Sequence, residues 1–274
     1  MTRIDSVQNP KIKETVKLRT SARARREEGL FFLEGLRLCM DVVRSDLKAR
    51  WLFATDAAWE KYPEELAALS ARCEETFAIG EAVSEKLSDT QHPQGVFCVL
   101  PSLDKQKQYN KIGNNIAMDK SGKYILLENV QDPKNLGAIS RTAEALGISG
   151  LFVSGGCDIT EPKALRSSMG ALLRIPVFET GNVQATLLEA ENSGIRTYAS
   201  VPDRSARSVS EIDFSGGALC VIGNEAHGIT VQTLASCQQC ITIPMTGRAE
   251  SLNAGAAASI LMWEMVRPND KQQR

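Results

Sequence analysis

From Tyr124 onward, short apolar runs alternate with segments of helical periodicity, and few folds accept that alternation. The apolar runs are Ile125–Leu127, Leu151–Val153, Ile175–Phe178, Leu219–Ile222 and Ile241–Ile243, and Arg196–Ser200 reads as a further, more polar strand. Between them lie a helical pattern from Asp132-Pro133 to about Leu146, shorter ones over Pro162–Met169 and Val183–Glu191, and a final apolar helix. That last helix spaces Leu252, Ala256, Ile260 and Trp263 at helical intervals. Strands separated by helices predict a mainly parallel sheet covered on both faces. In such sheets ligands gather at the carboxyl ends of the strands. Two of those ends open into loops of small and polar residues, Gly223–Gly228 and Thr246–Asn253.

The first hundred residues read as a separate, smaller α/β unit. Residues 1–28 form a basic arm with helical character from Ile12 to Arg26, eight basic against four acidic residues, a net +4. Leu30–Leu33, Trp51–Phe53, Thr76–Ile79 and Gly95–Leu100 follow as short strands, with helices near Leu36–Val43, Pro63–Cys73 and Val83–Leu87. Residues 101–123 are rich in Lys and Asp with few large apolar groups and read as a linker. The expected organisation is therefore 1–100, a linker over 101–123, and 124–274. Over the whole chain the net charge is −1, so the bulk balance does not argue for nucleic acid; only the arm does.

Several function classes are disfavoured by what the motifs lack. The first strand–helix turn, Asn129 to Gly137, carries one glycine and not the G-x-G-x-x-G of a dinucleotide site, and no P-loop is present. Cys237-Gln-Gln-Cys240 has half-site spacing for zinc, but with two histidines in the chain and no second pair, no metal is expected. The seven cysteines, no signal peptide and no apolar run of membrane length suggest a cytoplasmic protein with reduced thiols.

Three groups of residues, taken in order, resemble the motifs of SpoU-type RNA ribose methyltransferases of the SPOUT superfamily. They are Asn135-Leu136-Gly137 with Arg141-Thr142-Ala143, then Gly223-Asn224-Glu225 with Gly228, then Ile243-Pro244-Met245 with Ser251-Leu252-Asn253. In the first unit, Phe31-Phe32-Leu33-Glu34-Gly35, Val83 to Ser88 and Pro93-Gln94-Gly95 resemble that family's N-terminal substrate-binding domain, itself similar to a small ribosomal protein. The resemblance implies a C-terminal trefoil knot, which no periodicity would suggest. It also implies S-adenosyl-L-methionine as cofactor, held largely by main-chain groups of Gly223, Ile243 and Leu252 with Asn224 and Met245. The implied partner is RNA, with ribosomal RNA preferred over transfer RNA, and the implied assembly is a homodimer through the C-terminal domain. A non-catalytic RNA-binding assembly factor of the same fold is the rival from another class.

For catalysis the resemblance points to Arg141, Asn135, Glu225, Ser251 and Asn253. A ribose 2′-hydroxyl is a poor nucleophile and must lose its proton as it attacks. Arg141 is the implied activating group, either as an unusual base or as a cation that orients the hydroxyl and stabilises developing alkoxide charge. Glu225 is expected to orient Arg141 or an RNA group, Asn135 to hold Arg141 or the ribose or to cap its helix, and Ser251 and Asn253 to fix the ribose or the cofactor, with Ser251 also a possible helix cap. The family often carries a serine where Gly255 stands here. Lys163, Arg166, Ser168 and Arg174 are the candidate RNA-phosphate contacts.

Overall fold

The computed structural model describes residues 1–103, 111–112, 115–116 and 118–268. Much of the expected linker lies outside them; its described part includes a two-stranded ladder pairing Lys111–Ile112 (β6) with Asn115–Ile116 (β7). The chain divides into two compact units: Met1–Gln108 together with Asp158–Arg174, and Tyr109–Cys157 together with Ile175–Arg274. The segment Asp158–Arg174 thus packs with the first unit, although the sequence pattern runs it into the second.

The first unit is a five-stranded sheet flanked by short helices. Its strands are Thr2–Ile4 (β1), Leu30–Glu34 (β2), Ala49–Thr55 (β3), Cys73–Ile79 (β4) and Val96–Pro101 (β5), in the order β1-β4-β3-β5-β2. β1, β4 and β3 run parallel; β5 is antiparallel to β3 and β2. Pro10–Thr20 (α1) starts because Asn9 accepts the Lys11 N–H and Pro10 needs no donor at the first position. The arm is not one helix. Ser21 takes extended backbone, ends α1 and caps Ala22–Glu28 (α2) through the Ala24 N–H. Ile12, Leu18, Trp51, Phe53, Phe77 and Phe97 make one apolar core on this side of the sheet. Beyond β2 the expected helix near Leu36–Val43 does not form as one piece. Leu36–Cys39 (α3) and Asp41–Arg44 (α4) are separate turns that bury Leu38, Cys39 and Val42 instead. Asp56–Lys61 (α5), Pro63–Ser70 (α6) and Glu81–Leu87 (α7) complete the unit's N-terminal part.

Much of the arm's charge is spent internally. Arg25 is buried, pairs with Asp158 at 2.8 Å and donates to the Leu18 carbonyl. Arg19 donates to the carbonyls of Lys86, Leu87 and Ser88 at the end of α7. Lys11 pairs with Glu75 and lies over the Trp51 ring.

The second unit is a seven-stranded sheet whose every ladder is parallel. The strands are Lys123–Glu128 (β8), Gly150–Ser154 (β9), Val177–Glu179 (β10), Arg196–Ser200 (β11), Arg207–Ser208 (β12), Ala218–Ile222 (β13) and Gln239–Thr242 (β14). Their order is β10-β9-β8-β13-β11-β14-β12. The helices are Pro133–Ala145 (α8), Val183–Asn192 (α11), Val231–Ser236 (α12) and Ala254–Val266 (α13); Pro162–Ser167 (α9) and Ala171–Arg174 (α10) belong to the first unit's segment. β8 and β13 are buried along almost their whole length, as a sheet covered on both faces requires. No helix of the described residues is long and apolar enough to cross a membrane.

α8 and α13 lie side by side. Thr142 and Ser259 hydroxyls meet at 3.2 Å, and a Cβ placed on Gly255 would stand 3.5 Å from that of Ala138. Leu136, Ile139 and Ala143 of α8 and Ala258, Leu261, Met262 and Met265 of α13 point into the core. The evenly spaced apolar stripe of α13 faces the other way. Ile260 is 39% and Trp263 54% exposed.

Candidate active site

The carboxyl ends of β11, β13 and β14 open into a cleft of about 660 Å³ in the second unit. Its walls are Ile222, Gly223, Ile229, Leu234, Ile243, Met245, Leu252 and Ala257, with Asn224, Glu225, Ser251 and Asn253 among its polar members. All five proposed cofactor contacts, Gly223, Asn224, Ile243, Met245 and Leu252, therefore line one hollow. Sequence reasoning missed Ser200, Val201 and Pro202, where β11 ends, and His227 and Glu250 in the two loops. β11 ends between the two strands already singled out, so the sheet order would have exposed them; the sequence alone gives no such order.

The loop after β13 is shaped by close backbone approach. A Cβ on Gly223 would stand 2.2 Å from the Gly228 carbonyl carbon and 2.4 Å from the Ile229 nitrogen. Asn224 and Gly228 exchange both main-chain hydrogen bonds, at 3.0 and 2.9 Å, and Gly228 takes φ +68° to close the turn. The Asn224 side chain is used inside the loop and across to the turn before α8. Its Oδ1 accepts from the Ala226 and His227 N–H groups, and its Nδ2 donates to the Asn129 carbonyl.

Glu225 turns out to face the start of α8. Its carboxylate accepts from the N–H groups of Gln131 at 3.1 Å and Asp132 at 3.2 Å, and from Asn135 Nδ2 at 2.8 Å. Burial alone would raise its pKa. The hydrogen bonds from Asn135, from its own backbone N–H and from Gln131 and Asp132 together outweigh that and hold the carboxyl below its ordinary value. Both oxygens of Glu225 are thus engaged by donors at the start of α8, and its visible role is to hold that turn.

The chain of bonds continues. Asn135 Oδ1 accepts from Asn253 Nδ2 at 2.9 Å, and Asn253 Oδ1 accepts from the N–H groups of Gly255 and Ala256. A carboxylate has only acceptors to offer, so Asn135 must turn its NH2 toward Glu225 and its oxygen toward Asn253. That in turn aims the Asn253 oxygen at the first turn of α13. One carboxylate thereby orients two amides and ties three motifs together. Asn253 is the cap of α13; Ser251 is exposed on the cleft wall and caps nothing. Asp132 caps α8, so Asn135 is a buried residue of its first turn.

Arg141 is placed differently. It sits on α8 six residues beyond Asn135, exposed, and is not a wall of the cleft. Helix geometry fixes its direction. α8 meets α13 along Ala138 and Thr142 and meets the sheet along Ile139 and Ala143, so Arg141 projects from the outer face. Ile260 and Trp263 of α13 are likewise exposed. Glu225 contacts Asn135 and the backbone just before α8, and the Arg141 side chain makes no hydrogen bond or ion pair among the described residues.

The four expected phosphate contacts lie in the first unit's segment Asp158–Arg174. Lys163 is exposed. Ser168 is wholly buried and donates to the Leu165 carbonyl, so it presents no hydroxyl outward. Arg166 donates to Asp89 at 2.6 Å with Glu34 at 3.7 Å, and Arg174 pairs with the buried Asp41 at 2.9 Å. These two cations are matched by carboxylates far away in sequence, which no local pattern reveals.

An all-parallel α/β unit with a polar-rimmed cleft over its strand ends, joined in one chain to a small sheet unit, defines a two-unit ligand-binding protein of the α/β class. The chain belongs to the SpoU rRNA methylase family, whose model matches residues 122–263; the model of the MRM3-like substrate binding domain matches residues 9–98. The chain is 30% identical to an uncharacterized tRNA/rRNA methyltransferase of Synechocystis sp. over 96% of its length and 93% of the relative's. It is 27% identical to the 23S rRNA (guanosine(2553)-2'-O)-methyltransferase RlmP of Bacillus subtilis over 97% of its length and 99% of the relative's. Among solved structures it resembles the AdoMet-bound rRNA methyltransferase of Sinorhizobium meliloti, with a TM-score of 0.83 and 26% identity over 96% of this chain and 97% of that one.

Proposed function

We propose that the protein transfers a methyl group from S-adenosylmethionine to a ribose 2′-hydroxyl of ribosomal RNA. The observation that carries the reading is the chemistry of the cleft. Its described walls include no lysine or arginine, while Glu225 and Glu250 lie along it. A pyrophosphate-bearing cofactor wants basic groups or a glycine-rich helix start. A sulfonium with an ammonium group wants the opposite, and an adenosine fits apolar walls with free main-chain edges at Gly223, Ile243 and Leu252. When bound, the sulfonium supplies an electrophilic methyl carbon.

The chain's own residues do the rest. Glu225, Asn135 and Asn253 hold the loops in one geometry, which places the acceptor by orientation. Ser251 offers a hydroxyl at the cleft wall to fix the ribose. Arg141 supplies positive charge for the oxygen that loses its proton. Arg141 on α8 is exposed, as are Ile260 and Trp263 on the adjoining α13; in this reading a homodimer through α13 covers the apolar face and brings Arg141 toward a second copy's cleft. The trefoil knot belongs to the same reading, as does a division of labour in which residues 1–100 engage RNA, with Lys163 as the remaining exposed phosphate contact among those expected. Ribosomal RNA is favoured over transfer RNA because RlmP acts on 23S rRNA and matches along nearly the whole chain.

The test is a calorimetric titration with S-adenosylmethionine, followed by transfer of labelled methyl to protein-free ribosomal RNA, ribosomal subunits and transfer RNA. Donor binding with transfer to ribosomal RNA supports the reading. Transfer to transfer RNA alone corrects the substrate, and no donor binding favours the non-catalytic assembly factor.

A further inference from the structure

We infer that Glu128 is a positioning residue for the methyl-donor cleft, acting through the loop that follows β13; the inference rests on the donor reading above. Glu128 ends β8 and is only 4% exposed. It makes no ion pair among the described residues. Both of its oxygens accept. Oε1 takes the hydroxyls of Thr230 at 2.9 Å and Thr233 at 2.6 Å, and Oε2 takes the Thr230 N–H at 2.9 Å. Thr230 is the cap of α12, and Gln184 donates to the Thr233 hydroxyl at 3.2 Å.

A carboxylate buried among neutral donors is costly to desolvate, and an apolar residue at a strand end would avoid that cost. What the carboxylate does here is fix a position. Residues 223–229 span from Ile222, held in the sheet, to Thr230, held by Glu128. The loop's last residue inside that span, Ile229, is a cleft wall, and its neighbour Gly228 is the group against which Gly223 packs. Where Thr230 sits therefore sets the distance between Gly223 and Gly228 and the floor between them. Glu225 and Asn224 tie the middle of the loop to residues 129–135, and Glu128 ties its end.

Glutamine cannot replace this arrangement. Its amide oxygen can keep the Thr230 N–H only if its NH2 faces the two hydroxyls, whose protons then lose the acceptor they share in Glu128 Oε1. Turned the other way, its NH2 meets the Thr230 N–H donor to donor. Either pose leaves a buried group badly paired.

The experiment compares wild type, Glu128→Gln and Thr233→Val by donor titration, steady-state kinetics and hydrogen exchange. Glu128→Gln is expected to raise the donor Kd about tenfold while kcat at saturating donor and RNA affinity stay within about twofold. Thr233→Val, which removes one hydroxyl and folds more readily, is expected to shift Kd about threefold in the same direction. Amides of residues 224–230 should exchange faster in Glu128→Gln, with those of α8 unchanged. An unchanged donor Kd with unchanged exchange overturns the inference, and so does faster exchange spread over the whole unit, which would mark a purely structural role. A wild type that binds no donor refutes the methyl-donor reading itself, and the exchange comparison then still decides whether Glu128 holds the loop.

Discussion

Gly223 and Gly228 stand five residues apart in one loop, yet substituting alanine at each should have different consequences. At Gly223 the obstacle is space. The added Cβ would meet the Gly228 carbonyl carbon at 2.2 Å, where an ordinary contact begins near 3.4 Å. The backbone of Gly228 and Ile229 would have to retreat by about 1.2 Å, and it is held by two hydrogen bonds to Asn224 and by Thr230 on Glu128. Overpacking of this kind costs about 1–3 kcal/mol, and the rigid anchors favour the upper half of that range. At Gly228 nothing lies within 4 Å of a new Cβ, and the cost is the left-handed backbone at φ +68°, about 1–2 kcal/mol. Gly223→Ala should therefore lower Tm by about 4–10 °C and raise the S-adenosylmethionine Kd by about thirtyfold or more, because the displaced residues are the cleft floor. Gly228→Ala should lower Tm by about 2–6 °C and raise the Kd only a few-fold, because the loop keeps its path. Scanning calorimetry and donor titration measure both. A Gly223→Ala variant with wild-type donor affinity would refute the reasoning, since it would show that the loop can open without disturbing the site.

Arg141→Ala should abolish methyl transfer, a loss of at least about a hundredfold in kcat, with donor Kd within about twofold, because Arg141 is no wall of the cleft; single-turnover transfer and titration check it. Trp263→Asp should convert the proposed dimer to monomer and abolish transfer by placing a charge in the apolar outer face; sedimentation shows the mass, and a dimer that survives the substitution counts against this face. Glu225 has a lowered pKa when folded, so its stabilising effect is complete above its ordinary value of 4.5 and is lost as pH falls through the lower folded value. Thermal melts from about pH 6 down to about pH 3 should show a shallower decline for Glu225→Gln than for wild type; parallel curves would mean that the carboxylate carries no linkage.

The sheet of the second unit was legible because parallel strands buried on both faces are written as continuous apolar runs, and Leu126, Val221 and their neighbours read that way whatever surrounds them. The motif loops were legible for a related reason. A turn that needs glycine for close approach, as at Gly223, or a small polar cap, as at Asn253, restricts residue type locally. Other features resisted the same reading. The stripe of Leu252, Ala256, Ile260 and Trp263, whose last three members lie on α13, has helical spacing, yet periodicity names a face without saying which way it looks, and this one looks out. Arg166 and Arg174 read as free cations until Glu34, Asp89 and Asp41 are brought beside them.

Sequence by itself settled the alternation of strand and helix, the family motifs and the two motif loops that wall the cleft, since local backbone preference and hydrophobic spacing act over a few residues. Tertiary structure decided what each polar side chain does there. Glu225 serves Asn135, Asn135 serves Asn253, and Glu128 waits for threonines 102 and 105 positions later. A hydrogen bond depends on position to a fraction of an ångström, and only the folded chain fixes positions between residues so distant in sequence.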